Sequence, residues 1–234
     1  MKISGLEKMS LVDYDGYIDA TVFTAGCNFK CGFCHNSPLV LSVENLPSIP
    51  EEEVLSYLEK RRGILEGVCI SGGEPTLNKD LPFFIEKIKA LGYSVKLDTN
   101  GTNPQMIKSL FDAGLCDYFA MDIKNNREDY ANIIGFNEFD TKNVEQSVEY
   151  FLSGNAPYEF RTTLINEHHK KENIALIGKW IKGADKYFLQ KFKNSESCIQ
   201  SHLSAVDEKK VLEFLDIIKK DVPNTKLRGY DVKF

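Results

Sequence analysis

No stretch of this chain is apolar for anything near the roughly 20 residues that a membrane-spanning helix requires. No apolar signal segment opens it either, so we expect a cytoplasmic protein with no membrane partner. Lys and Arg number 29 against 34 Asp and Glu, for a formal net charge of −5. The basic residues are dispersed, which argues against a nucleic-acid partner. No linker, repeat or low-complexity stretch interrupts the 234 residues, so a single domain over residues 1–234 is expected. Cysteine is scarce: of the six present, Cys69, Cys116 and Cys198 stand far apart and read as small buried apolar side chains.

The other three, Cys27, Cys31 and Cys34, fall within TAGCNFKCGFCHN. A structural zinc or an ordinary iron–sulfur cluster takes four protein ligands. Three thiolates hold three corners of a cubane and leave the fourth iron open. Zinc with His35 as a fourth ligand is the competing reading, but His35 directly follows Cys34, and adjacent ligands on one tight loop fit a tetrahedron poorly. A disulfide pair with a spare thiol is disfavoured because no oxidising compartment is indicated. The C-x3-C-x2-C spacing, with Phe33 just before the last cysteine, resembles the radical S-adenosylmethionine (SAM) superfamily.

Short β-rich runs alternate with amphipathic helical segments along the chain. Strands are expected at 18–23, 67–71, 94–99, 117–123, 158–165 and 186–192, most bounded by Gly, Asn or Asp. Residues 80–91 place Leu81, Phe84, Ile85, Ile88 and Leu91 at helical spacing ahead of Gly92. Residues 207–221 place Val211, Leu212, Leu215 and Ile218 on one face ahead of Pro223. A third helix is expected to start where Ser48 and Pro50 precede Glu51–Glu53. Six strand–helix units argue for a parallel α/β sheet with right-handed crossovers. A complete eight-unit barrel takes about 250 residues, so the expected fold is a partial, open (β/α)6 TIM-like barrel of the radical SAM type. Periodicity alone also allows a doubly wound sheet.

Active sites of such folds gather at the C-terminal strand ends, where the polar motifs fall. The cysteine loop follows the first expected strand. SGGEP (Ser71–Pro75) ends the second, DTNG (Asp98–Gly101) the third, and Asp122-Ile123-Lys124 the fourth. Arg161 lies in the fifth and Gln190 in the sixth. With SLVDYDGYIDATVF ahead of the cysteines, these motifs make the chain similar to the glycyl-radical-enzyme activases. Within them it most resembles the anaerobic ribonucleoside-triphosphate reductase activating proteins, and it is also similar to pyruvate formate-lyase activase.

That resemblance implies a [4Fe–4S] cluster on Cys27, Cys31 and Cys34, with SAM chelating the open iron. The hard chemistry then belongs to the cofactors, and no side chain is assigned a catalytic role. Gly72 and Gly73 would let the backbone approach SAM, and Glu74 would accept from its ammonium; a plain strand-to-helix turn is the alternative. Phe33 and His35 would touch the adenine or shield the cluster, against a packed aromatic and an exposed histidine. Asp98 and Asp122 should repel unless a cation or donor lies between them, and the resemblance implies a monovalent cation there. Lys124 could instead neutralise Asp122. Arg161 would take the SAM carboxylate or ribose, or form a structural ion pair. The pyruvate formate-lyase activases carry a histidine after the sixth strand. This chain reads Phe188-Leu189-Gln190-Lys191-Phe192, with Gln190 offering the polar contact. His168, His169 and His202 read as solvated.

The function implied is hydrogen abstraction from a glycine of a partner glycyl radical enzyme, with anaerobic ribonucleotide reductase the first candidate. A flavodoxin- or ferredoxin-type protein would be the reductant. The alternatives are a radical SAM enzyme acting on a small molecule or peptide, such as a deazapurine-forming synthase, and a non-enzymatic iron–sulfur electron carrier.

Overall fold

A computed structural model describes residues 1–231. The chain divides into two compact units, Met1–Asn28 with Pro38–Ala120, and Phe29–Ser37 with the residues from Met121 onward. The first unit contains β1 (Ile3–Ser10), β2 (Asp19–Thr24), β3 (Gly67–Gly72) and β4 (Ser94–Thr99), hydrogen-bonded in chain order. The helices along this part of the chain are α1 (Ser37–Leu41), α2 (Glu51–Lys60), α3 (Leu81–Ala90) and α4 (Pro104–Asp112). β2, β3 and β4 run parallel. Their Ala20, Val22, Val68, Ile70, Val95 and Leu97 are all 0% exposed, as suits strands packed on both faces. Leu81, Phe84, Ile85 and Ile88 form the buried stripe of α3, as their spacing predicts. Gly92, at φ +92, follows that helix in the left-handed conformation that glycine adopts cheaply.

Register positions the motifs. Thr24 at the end of β2 pairs with Gly72 at the end of β3. The segment leading to Cys27 and the SGGEP turn therefore leave the sheet side by side.

The division between the units falls inside β5 (Tyr118–Asp122). The second unit continues with α5 (Tyr130–Ile133), α6 (Lys142–Leu152), β6 (Tyr158–Leu164), α7 (Lys171–Trp180), β7 (Tyr187–Lys191), α8 (Glu208–Ile218) and β8 (Thr225–Arg228). β6, β7 and β8 are parallel and in chain order. Asp207 caps α8 by accepting from Lys210 N at 2.8 Å, which satisfies one of the unpaired amides of the first turn. The buried face of α8 is Val211, Phe214, Leu215 and Ile218. Phe214 thus takes the place expected for Leu212.

All six expected strands are present, and two more flank them. β1 is antiparallel to β2, with register shifts at Ile3/Gly5 and Glu7/Ser10. Its residues ISGLEKMS lack two-residue alternation because most are only partly buried. β8 has four residues and one buried side chain, too little pattern for sequence to reveal. Among the described residues no helix is long and apolar enough to cross a membrane.

Candidate active site

In the first unit the SGGEP turn is locked to the backbone that leads into Cys27. Gly73 N donates to Thr24 O at 2.9 Å and Glu74 N to Gly26 O at 2.8 Å. A Cβ on Gly72 would lie 2.6 Å from Thr24 N, at φ +111, where side chains are strained anyway. A Cβ on Gly73 would collide with the Gly26 carbonyl and stand 3.3 Å from Cys27 N. Glycine is required here by the approach of two protein backbones. The absence of side chains at Gly72 and Gly73 brings this turn against the backbone that leads into Cys27.

Glu74 is 0% exposed, and its carboxylate serves the same loop. It accepts from Thr76 N at 3.2 Å, Thr76 Oγ1 at 2.5 Å, Thr99 Oγ1 at 2.8 Å and Asn100 N at 2.6 Å. Burial pushes its acidity down, while these donors favour the charged form. With both oxygens taken, Glu74 joins SGGEP to DTNG. Asn100 extends the chain of contacts: its side chain donates to Asn28 Oδ1 at 2.8 Å, and Asn28 donates to Thr102 Oγ1 at 2.9 Å. Asn28 is the residue after Cys27. Sequence reading gave no role to Asn28, Thr99, Asn100 or Thr102, although the first three lie inside motifs already singled out and Thr102 directly follows one.

Asp98 accepts from Ser71 Oγ at 2.9 Å and pairs with Lys96 Nζ at 3.0 Å. Asp19, at the start of β2, is 0% exposed. Burial, then repulsion from Asp13, raise its pKa to about 6.

The second unit holds Cys31 and Cys34 with most of the remaining motif residues. Cys31 and Phe33 are buried and Cys34 half-buried. Asp122 at the end of β5 accepts from Arg161 Nε at 2.9 Å and pairs with Lys124 Nζ at 3.0 Å. Lys124 lies 5.7 Å from the Phe33 ring centroid, a cation–π distance. Burial pulls the Lys124 ammonium down, but Asp122 and the neighbouring Cys31 outweigh it and hold it above the ordinary lysine range. Burial raises the Cys34 thiol and Lys124 opposes that rise. A fixed cation therefore lies near the Cys34 thiol and opposes part of the rise that burial imposes.

Asp122 thus has two cations of its own and Asp98 has Lys96. These are the contacts that the internal ion-pair reading expects. Gln190 pairs in register with Thr163, to which it donates at 3.4 Å, and accepts from Arg228 at 3.3 Å. His35 is exposed, with its ring 5.6 Å from that of Phe192.

His169 is not solvated as its loop position suggested. It is 0% exposed. Ile165 N donates to Nδ1 at 2.9 Å, so Nε2 carries the proton and donates to Lys124 O at 3.0 Å. The turn after β6 folds the ring inward to satisfy these backbone groups, and desolvation lowers its pKa to about 4. Cys69 and Cys116 are buried as expected, but Cys198 is half-buried, with Sγ 3.9 Å from Phe33 O. The loop after β7 brings it there, and Gln200 N donates to Gly32 O at 2.8 Å.

Thiols beside a half-buried lysine suit soft, thiolate-bound iron. Among the described residues no three His, Cys, Asp or Glu side chains converge on a single ion. A cubane does not ask for that convergence, since each thiolate takes a different iron.

Residues 21–177 match the radical SAM superfamily. The chain belongs to that superfamily. It is a radical SAM enzyme whose cofactors are a [4Fe–4S] cluster and SAM. Over 99% of its length it is 32% identical to MJ1227 of Methanocaldococcus jannaschii, provisionally named a glycyl-radical enzyme activating enzyme, and it covers 98% of that protein. It is 25% identical to a 7-carboxy-7-deazaguanine synthase of Thermococcus kodakarensis over 68% of each chain. Streptococcus suis SuiB bound to S-adenosylmethionine matches with a TM-score of 0.66 and 15% identity, over 89% of this chain and 49% of SuiB. That likeness shows a shared fold.

Proposed function

We propose that this chain is an activase, which removes a hydrogen atom from a glycine Cα of a partner glycyl radical enzyme. The observation that carries the reading is the end-to-end match, 99% of this chain and 98% of its relative, with a protein named for that activity. Cys27, Cys31 and Cys34 would hold the [4Fe–4S] cluster and leave room on it for SAM. The SGGEP turn, packed on Gly26 and Cys27, presents its backbone to SAM. In the second unit, Asp122, Lys124, Arg161, Phe33 and His35 are the residues we assign to contact with SAM or protection of the cluster. When bound, the cluster and SAM would supply the one-electron reductive chemistry of the reaction. The chain's own groups would orient SAM and exclude water around it.

Anaerobic ribonucleotide reductase is the partner class we favour, with a flavodoxin- or ferredoxin-type reductant. Gln190, where related activases carry histidine, is tied to Thr163 and Arg228 and so offers less to an incoming peptide. The second reading, a deazapurine-forming enzyme, is favoured by the similarity to the deazaguanine synthase. Labelling separates the two. Incubating the reconstituted, reduced protein with SAM and a partner carrying α-deuterated glycine should yield deuterated 5′-deoxyadenosine. Deuterium appearing only from a deuterated pterin substrate would reject the activase reading.

A further inference from the structure

Cys198 is out of place for a cysteine that only packs. It lies in the loop after β7, within the polar run SESCIQS, where no apolar pattern calls for it. It is half-buried, whereas the packing cysteine Cys69 is 0% exposed. A free thiol within reach of solvent is open to oxidation. Its place in the fold therefore asks for a reason.

Its surroundings supply one. Within the second unit this loop is strapped onto the cysteine motif. Gln200 N donates to Gly32 O at 2.8 Å, and the Gln200 side chain packs on Gly32 so closely that a Cβ there would collide. Asn194 ties the loop together, donating to Ser201 O at 3.0 Å and to Leu203 O at 3.2 Å. Cys198 Sγ stands 3.9 Å from Phe33 O, the carbonyl of the peptide bond that leads into Cys34. Cys34 is itself half-buried. Burial chiefly raises the Cys34 thiol, and Cys198 adds to that rise.

We propose that Cys198 is a resolving thiol for Cys34, closing a Cys34–Cys198 disulfide once the iron–sulfur cluster has been lost to oxidation. The two thiols give up two electrons and two protons, and hydrogen peroxide takes them and leaves as two waters. A disulfide asks for Cα atoms within about 7 Å of each other. With the strap anchored at Gly32 and Phe33, turning the two side chains and a local adjustment of the loop meet that demand. Without a resolving thiol, Cys34 would pass through sulfenic to sulfinic acid, which does not revert. The disulfide stops at a state that a dithiol reopens by exchange, so the motif can take up iron again. This protective role rests on the reading of Cys34 as a cluster ligand.

The test is to oxidise the reconstituted protein with hydrogen peroxide, block the remaining thiols and map the peptides by mass spectrometry. Wild type should yield a peptide pair cross-linked between Cys34 and Cys198, lost in Cys198→Ser. Before oxidation, Cys198→Ser should match wild type in iron content and SAM cleavage. After oxidation, treatment with dithiothreitol and a second reconstitution, wild type should recover its iron. Cys198→Ser should lose most of it and carry Cys34 as sulfinic acid. Wild type with Cys198 alkylated and Cys34 sulfinic would overturn the proposal, as would a cross-link to Cys31 instead or equal iron recovery in the two proteins. Full iron in Cys34→Ala would remove the ligand reading itself. An iron-free Cys34→Ala beside a wild type that forms no cross-link would sink only the role of Cys198.

Discussion

Three kinds of side chain divide the work around the cysteines. The motif thiols should be irreplaceable: Cys27→Ala, Cys31→Ala and Cys34→Ala should each lose the cluster on anaerobic reconstitution, because too few ligands remain. Cys69→Ala, Cys116→Ala and Cys198→Ala should keep full iron, and iron loss in any of them would expose a misassigned ligand. His169 acts one step away, holding the Lys124 carbonyl while the Lys124 side chain faces Asp122 and Phe33. Its pKa of about 4 when folded lies below the ordinary value near 6.5. As pH falls, the unfolded chain therefore binds the proton first. Stability present above pH 6.5 should be lost between about 6.5 and 4, by up to about 3 kcal/mol. Urea unfolding across that range should show the loss in wild type and a shallower one in His169→Gln. Parallel pH profiles would mean the ring is not held neutral. None of this was legible from the residue itself, since two adjacent histidines between polar neighbours carry no burial signal.

At the scale of elements, the strand ends matter more than the strands. Gly73 is confined by the Gly26 carbonyl, so Gly73→Ala should destabilise the protein by about 1–3 kcal/mol and weaken SAM binding through the displaced turn. Unchanged unfolding and unchanged SAM affinity would contradict the packing. The carboxylates at the ends of β4 and β5 each have internal cations. Exchanging K⁺ or Na⁺ for a bulky organic cation at equal ionic strength should therefore leave SAM cleavage unchanged, and a marked ion preference would restore the shared-cation reading. The motifs at these ends were readable because Gly-Gly, paired acids and clustered cysteines are rare combinations. Their contacts were not, because Glu74 meeting Thr99 and Asn100 depends on register across the sheet, which pattern alone leaves open.

For the chain as a whole, alternation of apolar runs and amphipathic segments was enough for six strands and the α/β class. The flanking strands β1 and β8 were hidden, since edge strands bury little and so show little periodicity. Family membership was legible in three cysteines and their spacing, whereas the partner was not, because hydrogen abstraction by one radical serves many substrates on one fold. The most direct measurement is EPR of a mixture of the reconstituted protein, SAM, dithionite and an anaerobic ribonucleotide reductase. The account predicts a glycyl radical doublet on the reductase, absent with Cys31→Ala. SAM cleavage with an intact cluster, but no glycyl radical on that reductase or on other glycyl radical enzymes, would contradict it.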